Sequence, residues 1–233
     1  NEYLRASAVR GILQPSEDYD RFELLYDLVK TDPSMIVKTY ALKTISNRQV
    51  IPTGDTLRNL LSEVATFKNP ELRKAGYYLL PQKSDSSMQR FVESYVHNQI
   101  EVEIERNKSL LIYYLSTLDS LSEKTIQLLN NYANVSDVNT RRYVAYAVVK
   151  HLEKLFESSL EQDSKSQELI KILAILSLDD VYRVQEAALG VYRFGLHEER
   201  IMNILLMAQD DMKSDFPKNI SDKIRNFKTR YSK

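Results

Sequence analysis

A five-residue pattern recurs along this chain, and repetition at a near-constant period limits the possible folds more than any other feature of a sequence. The pattern reads apolar, long polar, any, any, small. It appears as Leu4-Arg5-Ala6-Ser7-Ala8, Val37-Lys38-Thr39-Tyr40-Ala41, Leu72-Arg73-Lys74-Ala75-Gly76 and Val184-Gln185-Glu186-Ala187-Ala188. Arg141-Arg142-Tyr143-Val144-Ala145 is a looser copy. Successive copies start 33, 35, 69 and 43 residues apart. The gap of 69 is close to two periods and predicts a degenerate copy at Asn107-Lys108-Ser109-Leu110-Leu111. The final gap is long because the polar stretch 157–167 intervenes. With one apolar residue, it is expected to form a flexible surface loop.

Each copy carries the marks of a helix. The small residue suits a crossing of two helices, where a bulky side chain would push the axes beyond their usual spacing of roughly 8–10 Å. Apolar residues then follow at helical spacing, as in Ala41 and Ile45, or Ala75 and Leu79. Asp32-Pro33 and Asn69-Pro70 stand just before a copy, and an Asp or Asn cap followed by Pro at the first helical position starts a helix. Only 5 glycines occur, and no two-residue hairpin turn separates alternating apolar runs, which argues against a β fold.

The expected organisation is a first helix at 2–13, within an incomplete repeat 1–14, and then helix pairs. These are 17–31 with 34–47, 54–67 with 70–81, 85–104 with 107–118, 121–133 with 139–156, and 164–177 with 181–194. A further helix is expected at 198–213, and a terminal capping helix at 219–231. Ile220, Ile224, Phe227 and Tyr231 share one face of that last helix, opposite Lys223, Arg225 and Lys228. The whole chain, 1–233, reads as one repeat domain. Its start on a partial repeat without Met is expected of a piece of a longer protein.

A turn containing Asp, followed by Val-Lys-x-x-Ala (Asp32 with Val37, Lys38 and Ala41) or Val-Gln-x-x-Ala (Asp179 with Val184, Gln185 and Ala188), resembles the HEAT repeat. The resemblance extends over nearly the whole chain. It implies an all-α, right-handed superhelical stack of about six two-helix HEAT-like repeats, an armadillo-like fold, with the second helix of each repeat lining the concave side. It also implies a scaffold or adaptor role.

Chemistry is sparse. There are no cysteines, hence no disulfide and no Cys-based zinc site, which points to an intracellular, cytoplasmic protein. No Gly-rich phosphate loop, Gly-x-Ser-x-Gly or His-Glu-x-x-His motif occurs. His97, His151 and His197 are isolated and read as solvated or core-edge residues. Asp179-Asp180 reads as a turn and helix cap, and Asp210-Asp211 as surface charge. No catalytic residue, metal site, cofactor or small-molecule substrate is expected, so the chain reads as a non-enzyme. Lys plus Arg equals Asp plus Glu at 32 each, which argues against a nucleic-acid clamp. The absence of Trp argues against similarity in function to the DNA glycosylases of HEAT-like fold. The neutral-to-acidic turns fit acidic tubulin, the partner of TOG domains, poorly.

No apolar run approaches the roughly 20 residues that cross a bilayer. Contact with a membrane surface is open only to the basic terminal helix. The expected partner is a protein or peptide. If the small residue faces the core, the residue two places on points the opposite way, toward the concave side. That row is Arg10, Lys43, Tyr78, Tyr113, Ala147 and Gly190; the residue two places back gives Thr39, Lys74, Ser109, Tyr143 and Glu186. Tyr78, Tyr113 and Tyr143, flanked by Arg10, Lys43 and Lys74, are therefore the expected binding residues. The alternatives are an accessory domain of a larger enzyme or lipid-transport protein, and a HEAT-like nucleic-acid-binding or DNA-repair protein.

Overall fold

The computed structural model describes residues 1–11, 18–47, 52–81, 84–157, 164–177 and 179–190, without the side chains of residue 10, residues 18–21 and residues 156–157. Among these residues there are eleven helices and no strand. They are α1 (Glu2–Gly11), α2 (Asp18–Thr31), α3 (Met35–Asn47), α4 (Gly54–Thr66), α5 (Pro70–Tyr77), α6 (Ser86–Ile100), α7 (Glu105–Leu115), α8 (Glu123–Tyr132), α9 (Val138–Glu157), α10 (Ser164–Ser177) and α11 (Tyr182–Ala188). The helices expected at 198–213 and 219–231 lie outside the described residues.

Packing follows one pattern along the chain, with one addition, α10 on the helix before it, α9. Each even-numbered helix packs on the odd-numbered helix after it: α2 on α3, α4 on α5, α6 on α7, α8 on α9 and α10 on α11. The odd-numbered helices also pack in sequence, α1 on α3, α3 on α5, α5 on α7, α7 on α9 and α9 on α11. Among even-numbered helices α4 meets α6, and α8 meets α10. The result is a repeat-like architecture of helix pairs in two layers. Its core is one continuous apolar seam between them, including Leu42, Ile45, Leu60, Leu61, Leu111, Leu129, Val148 and Leu173, all without solvent exposure.

The small residue acts as expected where it matters most. A Cβ added to Gly76 on α5 would lie 2.3 Å from Val64 Cγ1 on α4, so these two helices touch through the missing side chain. Ala41 and Ala188 are fully buried. The first copy differs: Ala8 is exposed, and Leu4 is 70% exposed. The main partner of α1 is α3, reached through Ala6 and Val9, so the side bearing Leu4 and Ala8 is open.

Helix ends correct several expectations. Asn69 caps α5, its side chain accepting from Glu71 and Leu72 N–H groups at 2.8 and 3.3 Å with Pro70 next in line. Asp32-Pro33 does not work this way. α3 begins at Met35, because the Asp32 carboxylate accepts from Ser34 N–H at 2.8 Å and is otherwise turned toward Arg5. Asp179 is likewise no helix cap; it lies in the turn, and Val181 precedes the first residue of α11. α6 stops at Ile100, short of 104, since Glu103 must leave the helix to face Arg73. α5 ends at Tyr77; Leu79 and Leu80 continue as tight turns, and Pro81 disfavours helix in the residue before it. The polar stretch 157–167 is not a loop throughout. Glu157 ends α9, 164–167 open α10 with Ser166 buried, and 158–163 lie outside the described residues.

Candidate functional site

Three arginines at the long polar position bind one helix pair to the turn of the next. Arg5 donates to Asp32 at 2.9 and 3.1 Å, Arg73 to Glu103 twice at 2.9 Å, and Arg141 to Asp179 at 2.5 and 3.1 Å. Each is a two-pronged guanidinium–carboxylate pair, the strongest geometry for such a contact. The third prong of Arg73 donates to the Phe67 and Lys68 carbonyls of its own turn, and that of Arg141 to the Val135 and Ser136 carbonyls. Each carboxylate also accepts a backbone N–H, from Ser34, Ile104 and Val181 respectively, at 2.8 Å. In the two intervening copies the position is lysine. Lys38 Nζ stands 5.1 Å from the centre of the Phe67 ring and Lys108 Nζ 5.5 Å from that of Tyr132. Ionic and cation–π links therefore alternate along the chain and set the spacing of the odd-numbered helices.

Five residues beyond each long polar position lies a row on the outer side of the odd-numbered helices: Lys43, Tyr78, Tyr113, Tyr146 and Gly190. The aromatic members gather toward the C-terminal half. The Tyr113 ring on α7 stacks on Tyr146 of α9 at 6.1 Å, meets Tyr143 edge-on at 5.7 Å, and meets its neighbour Tyr114 edge-on at 5.4 Å. Burial, then the neighbouring Tyr146 and Tyr143, push the Tyr113 phenol up. Arg142 stands over the outer ring, Tyr143, at 5.7 Å. Together with Arg183, Glu186 and Gly190 these residues line a groove of about 410 Å³ between α9 and α11.

A second groove, of about 500 Å³, lies at the other end of the same row. It is lined by Tyr3 and Ser7 of α1, Met35, Thr39, Tyr40 and Lys43 of α3, and Asn69 and Glu71. A third, of about 260 Å³, runs between the even-numbered helices α8 and α10 and has no aromatic lining. Exposed large apolar side chains are just as unevenly shared among the described residues. Tyr3, Leu4, Met35, Tyr146 and Tyr182 lie on odd-numbered helices and Tyr78 caps α5, whereas Leu24 alone lies on an even-numbered one.

Of the expected binding residues, Tyr113 and Tyr143 are in contact. Tyr78 is 45% exposed at the end of α5, close enough to Tyr114 to raise its phenol, after the larger effect of burial, and has no ring contact with Tyr113. Lys43 belongs to the distant first groove, with its ammonium 6.0 Å from the Tyr40 ring. Lys74 is half-buried on α5 and lines neither groove. The Arg10 side chain lies outside the described residues. Ala147, expected to point outward, is fully buried. The outward residue in that copy is Tyr146, because the fifth copy is set by Arg141 as its long polar member and Thr140 as its apolar one. Tyr146, Arg142 and Arg183 were thus missed. Counting from Arg5, Arg73 and Arg141, which are evenly spaced in the sequence, would have found Tyr146.

Other polar clusters are structural in geometry. His151 is 3% exposed, deeper than a core-edge position, with Nε2 2.9 Å from the Leu115 carbonyl; burial pulls its imidazole down to about 4. His97 Nε2 lies 2.8 Å from Thr125 Oγ1, whose hydroxyl donates to Glu93. Threonine stands between histidine and carboxylate, which is not the nucleophile–histidine–carboxylate order of a catalytic triad. Among the described residues no group of three His, Asp or Glu is placed to hold a metal ion, and no helix is long and apolar enough to cross a membrane. No family model matches the chain, and no curated protein matches it in sequence.

Proposed function

We propose that this chain is a non-enzymatic scaffold or adaptor module, a right-handed HEAT-like solenoid that holds a protein or peptide partner along the face of its odd-numbered helices. The observation that carries this reading is the asymmetry between the two layers. Among the described residues the exposed aromatics and both aromatic-lined grooves belong to the odd-numbered layer, and Tyr78 and Tyr146 fall at the same place in their repeats. Tyrosine is a rigid side chain that buries much area for little lost freedom, and it is enriched where interfaces gain most of their energy.

The test is selection from a displayed library of random linear peptides. Ligands that bind the wild-type protein are expected to lose roughly 1–2 kcal/mol for each of Tyr113→Ala and Tyr143→Ala. Variants on the even-numbered layer, such as Leu24→Ala, should leave binding unchanged. Selected ligands that ignore both tyrosine variants would move the site elsewhere. A library that yields no ligand would count against peptide binding.

A further inference from the structure

The C-terminal groove has a charge pattern that its N-terminal counterpart lacks. In the first groove Lys43 is the single cation among the lining residues, and the single acid, Glu71, is paired with Arg106 at 2.5 Å. In the second, Arg142 of α9 and Arg183 of α11 are both exposed. Neither has a carboxylate within ion-pair distance among the described residues. The Arg142 guanidinium instead stands 5.7 Å from the centre of the Tyr143 ring, a contact that leaves its charge in place. Glu186 is the one acid among the lining residues, against Arg142 and Arg183; Lys150 is paired with Glu153 at 3.2 Å.

Spacing adds a second constraint. Neighbouring packed helices stand roughly 8–10 Å apart. A polyproline II helix advances about 3.1 Å per residue with three residues per turn, so every third residue returns to the same side after roughly 9 Å. One turn of such a ligand therefore matches one step from α7 to α9 or from α9 to α11. Its prolines would lie against the Tyr113, Tyr143 and Tyr146 rings, as proline-rich segments lie in aromatic grooves elsewhere. An acid at every third place would meet Arg142 and then Arg183.

Resting on the peptide-binding reading above, we infer that the groove between α9 and α11 takes an acidic, proline-rich segment in the polyproline II conformation, with carboxylates three residues apart. The probe is a fluorescein-labelled peptide of four Glu-Pro-Pro triplets, followed by anisotropy against the full chain. Saturable binding is expected. Arg142→Glu and Arg183→Glu should each weaken it by roughly fivefold or more, as loss of a charged contact at an interface does. Arg90→Glu, on α6, should have no effect. Peptides of four Lys-Pro-Pro or four Glu-Gly-Gly triplets should bind at least tenfold more weakly, the second because it lacks the preformed helix.

No saturable binding of the Glu-Pro-Pro peptide would overturn the inference. So would equal binding by the doubly substituted protein, or equal binding of a Gln-Pro-Pro peptide. In each case the library selection above decides separately whether the face binds peptides at all. Circular dichroism of both arginine variants guards against misfolding, and Arg142→Lys should retain part of the affinity that Arg142→Glu loses.

Discussion

Arg73 and Glu103 meet as a two-pronged pair, 2.9 Å at each prong, and both side chains are buried. Tyr77 adds a third donor to the same carboxylate at 2.5 Å. Burial alone would push the Glu103 carboxyl up. The bonds from Arg73, Tyr77 and the Ile104 N–H outweigh that and hold it below its ordinary range. A buried ion pair is weak evidence of net stability, but breaking one leaves an uncompensated charge. Arg73→Met or Glu103→Leu alone should therefore cost about 3–5 kcal/mol by denaturant unfolding, and the double substitution distinctly less than either. Lys38→Met, at the equivalent half-buried cation–π position, should cost under about 1 kcal/mol.

Val64 and Gly76 supply a second test. With Cβ forced to 2.3 Å from Val64 Cγ1, Gly76→Ala must spread α4 from α5. Overpacking of this kind costs about 1–3 kcal/mol. Gly190→Ala meets nothing within 4 Å and should be neutral or slightly stabilising. Val64→Ala in the Gly76→Ala background should recover part of the loss. A lowered denaturation midpoint that Val64→Ala fails to raise would place the strain elsewhere.

His151 makes stability depend on pH. The folded protein holds its imidazole at about 4, below the ordinary 6.5. Between those values the unfolded chain binds the proton and the folded one does not. Stability from this group is thus fully present above 6.5 and falls as pH drops toward 4. The loss between pH 7 and pH 5 should be about 2 kcal/mol. His97, also lowered by burial and then by Lys124, acts in the same direction. His151→Gln, whose amide can still donate to the Leu115 carbonyl, should therefore flatten the profile without abolishing it. Below about 4.5 Glu103, held low in the fold, begins to draw protons in the unfolded chain first, which extends the acid loss in both proteins.

How much of this was legible depended on distance along the chain. The helix pairs were readable because caps, proline and apolar period are local; α10 at Ser164–Ser177 agrees with its expected span residue for residue. Which turn carboxylate would swing inward was not readable. Asp32, Glu103 and Asp179 lie 27, 30 and 38 residues from their arginines, and nothing local separates them from the acids beside them. The same ion pairs cut α6 short and delayed α3, so the errors at those ends share one cause. The tyrosine cluster was half visible. Tyr113 and Tyr143 were found, and Tyr146 was lost because Thr140, a polar residue, fills the buried apolar place in the fifth copy.

That slip gives the last prediction, which separates the two registers on α9. Tyr146 is 40% exposed with its ring stacked on Tyr113, whereas Ala147 has no exposure at all. Ala147 lies beside Val148 in the seam between the layers, where a ring has no room. Ala147→Phe should accordingly destabilise by about 1–3 kcal/mol or more, through off-rotamer packing and displaced backbone. Tyr146→Ala removes a half-exposed aromatic contact worth about 0.5–1.5 kcal/mol and should leave folding cooperative. The two variants should part again in binding. Tyr146→Ala should weaken the Glu-Pro-Pro peptide about as much as Tyr113→Ala does, since the stacked pair forms one surface. Equal stability of Ala147→Phe and the wild type would restore the register counted from Ala145 and remove Tyr146 from the groove.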